Sequence, residues 1–87
     1  MKVLELKSIS KQEGYIYYLK RYTATAVLEI PAQTISFPLS FSIETGPLGD
    51  KKIELDDIPS NINYPVFPIM KSLREYIQNL SIQGTLP

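Results

Sequence analysis

The chain has 87 residues, with nine basic residues balancing nine acidic ones, seven prolines, no cysteine and no histidine. That length makes one domain with a limited core. The missing cysteines exclude a disulfide framework and a thiolate zinc site, and the missing histidines remove the commonest general base and metal ligand, so we expect a non-catalytic domain with no cofactor and no metal.

A neutral chain lacks the global positive field that accompanies nucleic-acid binding. The opening run, Met1 to Lys7, alternates apolar and charged residues without a continuous apolar stretch, so it does not read as a signal peptide. No segment reaches the ~20 apolar residues of a membrane helix. The expectation is a cytoplasmic protein without a membrane partner.

In chain order, Lys2 to Ile9 reads as a first strand with Leu4 and Leu6 on one face, and Lys11 to Gly14 as a turn. Tyr15 to Ile30 is a long run of β-formers whose alternation changes phase at Lys20-Arg21, which predicts a β-bulge or bend there. From Tyr22 onward the even positions Tyr22, Ala24, Ala26, Leu28 and Ile30 are apolar. Ile35 to Ile43 answers with Ile35, Phe37, Leu39, Phe41 and Ile43 on one face of a third strand. A loop over Pro31 to Thr34 would pair Ile30 with Ile35, Leu28 with Phe37, Ala26 with Leu39, Ala24 with Phe41 and Tyr22 with Ile43. The opposite face would then pair Arg21 with Glu44, Thr23 with Ser42 and Thr25 with Ser40.

Pro38 interrupts the third strand and cannot donate to a ladder, so it needs an unpaired edge. Thr45 to Lys52 is a loop, Ile53 to Leu55 a short fourth strand pairing Ile53 with Ile43 and Leu55 with Phe41, and Pro59 to Pro65 an irregular connection. Phe67 to Leu80 reads as a helix with Ile69, Met70, Leu73, Ile77 and Leu80 on its apolar stripe and Lys71, Ser72, Arg74, Glu75, Gln78 and Asn79 on its solvated side. Residues 81–87 read as a tail, with Gly84 too far along to cap. The whole is a single α+β domain over 1–87: a four-stranded antiparallel meander, β-β-β-β-α, with one C-terminal helix packed on one face.

A straight strand from Ile16 to Ile30 spans about 45 Å at ~3.3 Å per residue. A helix of about fourteen residues covers ~21 Å. Either the sheet curls or a second subunit covers the remainder, and we expect a homodimer.

Four groups of residues bear on function. Tyr15 to Tyr22 interleaves aromatics with Lys20 and Arg21, and Tyr15, Tyr17, Lys20, Arg21 and Tyr22 are the candidate interaction surface. Such a strand can stack bases and hold phosphates, although tyrosine is equally a plain strand former. Gly46 to Lys52 has glycines and lysines, but a strand follows where a phosphate loop needs a helix, so it reads as a turn. Asp50, Glu54, Asp56 and Asp57 lack calcium-loop spacing and read as charge on an edge strand. Ser36, Ser40, Ser42, Thr23 and Thr25 make a hydroxyl-rich sheet face open to a partner or to water.

The β-β-β-β-α order resembles that of dimeric single-stranded nucleic-acid binders of the Pur type and the p15 coactivator type, a likeness of architecture without a shared motif. It implies a sheet surface holding a single strand. The first expectation is nevertheless a small non-catalytic interaction or structural module that is homodimeric and binds a protein partner through its sheet edge or hydroxyl face. The alternative is a single-stranded nucleic-acid-binding domain using the aromatic and basic strand.

Overall fold

The structure is a computed structural model and describes residues 1–14 and 18–87. Four strands, β1 (Lys2–Lys11), β2 (Leu19–Ile30), β3 (Gln33–Thr45) and β4 (Lys51–Leu55), are followed by one helix, α1 (Val66–Gln83). The strands form one antiparallel sheet in the order β1-β2-β3-β4, the expected α+β meander with its C-terminal helix.

The central hairpin keeps its predicted faces but not its predicted register. Pro31 and Ala32 alone make the turn, so Ile30 pairs with Gln33, Leu28 with Ile35, Ala26 with Phe37, Ala24 with Leu39 and Tyr22 with Phe41. The ladder is shifted by two residues, and a shift of two preserves which side chains face the core. Small still faces large at both alanines. The polar pairs do change: Thr23 lies opposite Ser40, Thr25 opposite Pro38 and Arg21 opposite Ser42, while Glu44 faces Leu19. The expected Arg21–Glu44 pair is therefore absent. The cause is the tight turn. Proline fixes Pro31 at negative φ, and Ala32 takes φ 72°, the sign pattern of a type II turn.

Pairing of β2 with β3 runs unbroken from Leu19 to Ile30, so no bulge sits at Lys20-Arg21. The phase change there marks the start of β2; the residues before it, 15–17, lie outside the described part. The bulges are in β1. Register shifts between Val3 and Glu5 and between Lys7 and Ser10, the second with Ser8 at φ 55°, turn Val3, Leu6 and Ile9 successively toward the core. Leu4, expected beside Leu6, is exposed instead.

Tyr22, Ala24, Ala26, Leu28 and Ile30 from β2 and Phe37, Leu39, Phe41 and Ile43 from β3 are each no more than 7% exposed. Across them lie Ile69, Leu73 and Ile77 of α1, all fully buried, with Met70 and Leu80 half-buried beside them. The helix is longer than its apolar stripe suggested. It ends at Gln83, and Gly84 at φ 70° is its cap: the Gly84 and Thr85 N–H groups donate to the Ser81 and Leu80 carbonyls at 3.2 and 3.1 Å. Residues 81–83 thus belong to the helix rather than to a tail.

Eighteen helical residues span ~27 Å at 1.5 Å each, still short of a sheet within a molecule 42 Å long. The missing cover comes from the same chain. Ile58, Ile62 and Tyr64 of the irregular connection and Leu86 beyond the helix pack on the common core. The argument for a second subunit from an uncovered apolar face loses its premise.

Candidate interaction surface

The predicted aromatic and basic surface is not assembled on one side of the sheet. Tyr15 and Tyr17 lie outside the described residues. Arg21 is exposed on the helix-free face, in a shallow hollow of about 170 Å³ shared with Gln12, Thr23, Ser40, Ser42 and Asp56. Lys20, one residue earlier, belongs to the opposite face and lies near Thr45, Lys51 and Leu86. Tyr22 is a core residue, 3% exposed. Its ring stacks on Phe41 of the neighbouring strand at 5.2 Å between centroids, and its hydroxyl donates to the Pro87 carbonyl at 3.2 Å. Burial pushes its phenol pKa above the ordinary value.

The other sequence candidates resolve into ordinary structure. Gly46 to Asp50 is the β3–β4 turn, in which the Gly46 and Gly49 N–H groups donate to the Asp50 and Gly46 carbonyls. A Cβ on Gly46 would collide with the Asp50 carboxylate, so glycine is required there. Among the described residues, no group of three or more acidic side chains is placed to hold a metal ion. No helix among them is long and apolar enough to cross a membrane.

The sheet's edges differ sharply in how they are defended. Strand edges expose unpaired backbone groups, and charge or bulges normally deter another strand from adding there. β1 has two bulges and carries Lys2, Glu5, Lys7 and Lys11; β4 carries Lys51, Lys52 and Glu54, with a solvent-exposed Lys52–Glu54 ion pair at 3.1 Å. The third edge is the part of β3 that β4 does not reach. β4 ends opposite Phe41, and one further bond, from the Asp56 N–H to the Ser40 carbonyl at 2.9 Å, closes the ladder. Beyond it come Pro38 and then Phe37 to Gln33, with neither bulge nor charge.

The expectation that Pro38 needs an unpaired edge is met in detail. Successive residues of a strand aim their N–H and C=O groups at opposite edges. The Ser40 carbonyl faces β4, and the Thr45 N–H faces the β2 side, where it donates to the Tyr18 carbonyl at 2.8 Å. Even-numbered residues of β3 therefore point to the free edge. Pro38 lacks its N–H on the side where no strand follows, and Thr34 and Ser36 present a donor and an acceptor each. Among the described residues no hydrogen bond reaches those four groups.

Beside this edge lies a groove of about 430 Å³ between Gln33, Ile35 and Phe37 on one side and Pro59, Asn61, Ile62 and Asn63 on the other. No residue of 33–37 or 59–63 is charged. Sequence reasoning located the free edge through Pro38 but not the groove, because the connection over 59–63 has no periodicity to reveal how it folds back.

No curated protein and no solved structure matches the chain. The BB-0187 family matches residues 1–82, and the chain belongs to that family.

Proposed function

We propose that this domain is a small non-catalytic interaction module that works by self-association, as a homodimer. The observation that carries the reading is the free edge of β3 over Gln33 to Phe37, the one stretch of sheet edge among the described residues with neither charge nor bulge. Unpaired backbone groups on such an edge take up an extended segment by strand addition. The uncharged groove beside it suits a segment without charge.

Static light scattering across a concentration series tests the reading. A mass near twice 9.9 kDa supports it, and a mass of 9.9 kDa at every accessible concentration rules it out. Single-stranded nucleic-acid binding, the alternative, draws no support from the described residues. Lys20 and Arg21 lie on opposite faces, and Tyr22 would have to leave the core to stack on a base. An oligonucleotide titration that shows binding weakening as salt rises would restore it.

A further inference from the structure

We infer that the occupant of the β3 edge is the same edge of a second copy, paired antiparallel about a two-fold axis at Ile35. This rests on the self-association reading and specifies its geometry. Two identical strands meeting antiparallel must satisfy each other's outward groups. Each contributes the N–H and C=O of Thr34 and of Ser36. With the axis at Ile35, Thr34 of each copy lies opposite Ser36 of the other, and both are hydrogen-bonding positions. All four donors and all four acceptors are then met by four backbone bonds. Moving the axis one residue either way fails. An axis at Ser36 sets Thr34 against Pro38, which has no N–H, and an axis at Thr34 sets Ser36 against Ala32 in the turn.

The side chains agree with that register. Ile35 meets its own copy at the close, non-hydrogen-bonded position on the core side, next to the groove wall formed by Ile62. Thr34 and Ser36 set hydroxyl beside hydroxyl on the helix-free side. A two-fold interface places any charge near its own copy, so an edge that pairs with itself must be free of charge; Gln33 to Phe37 is. β4 covers β3 only from Phe41 onward and leaves the paired stretch clear.

Two experiments on the whole chain test this. Ser36→Pro removes one donor on the free edge without touching the β2 ladder, as Pro38 already does two residues on. We expect a folded protein of half the wild-type mass. The chain has no cysteine, so single cysteines report position directly. Cα atoms at a non-hydrogen-bonded pair are about 4.5 Å apart. Ile35→Cys should therefore form a covalent dimer under mild oxidation, whereas Gln33→Cys, four residues out of register with its copy and about 13 Å away, should not. A monomeric wild type overturns both the self-association reading and this geometry. A dimeric wild type whose Ser36→Pro variant stays dimeric, or whose Ile35→Cys variant fails to bridge, overturns the geometry alone. Should Ser36→Pro fail to fold, the cysteine pair decides.

Discussion

At Ala32 one residue sets the register of the whole central hairpin. Its φ of 72° is a conformation that costs an L-residue about 1–2 kcal/mol, because Cβ crowds the backbone. Ala32→Gly removes that crowding and returns part of the gain as unfolded-state entropy, so it should stabilise the domain by about 0.5–1 kcal/mol in a urea melt. Tyr22 is a second single-residue test. Its phenol is harder to ionise in the folded protein than in the unfolded chain. Above the ordinary tyrosine pKa of 10.0 the unfolded chain therefore holds fewer protons than the native state, and stability falls as pH rises from there to the raised folded pKa. Tyr22→Phe should flatten that alkaline loss while costing about 1 kcal/mol at neutral pH for the bond to Pro87, read from thermal melts at both pH values.

Among the elements, those with strict periodicity were legible and the others were not. The rows on β2 and β3 announce their faces because each residue type alternates without a break. Yet the sequence leaves a two-residue and a four-residue turn both open, since either keeps the same side chains inward. β1 misled for a physical reason: Val3, Leu6 and Ile9 recur every third residue, which fits neither a strand nor a helix until two bulges are allowed. The helix stripe was legible, but its last turn was not, because Ser81 to Gln83 follow the final apolar position. The docking of α1 is testable through Leu73, which is fully buried against the sheet. Leu73→Ala should cost about 2–5 kcal/mol with an unchanged urea m-value. A loss under ~1 kcal/mol would mean the helix does not cover the sheet.

For the whole molecule, what covers the sheet matters more than what forms it. The length mismatch between hairpin and helix is real, and the chain closes it itself with Ile58, Ile62, Tyr64 and Leu86. Self-association therefore has to rest on the edge. That edge was half legible: Pro38 announced where pairing must stop, but the groove over Pro59 to Asn63 depends on an aperiodic segment. The candidate surface around Lys20 to Tyr22 failed as a unit because neighbours in a strand point to opposite faces. Amide hydrogen exchange at Thr34 and Ser36 addresses the central claim most directly. Within one chain their N–H groups have no partner among the described residues, whereas those of Ile35 and Phe37 face β2. If two copies pair through this edge, Thr34 and Ser36 should be protected along with Ile35 and Phe37, and their protection should rise with protein concentration. Exchange at unprotected rates for Thr34 and Ser36 at every concentration, beside slow Ile35 and Phe37, would contradict it.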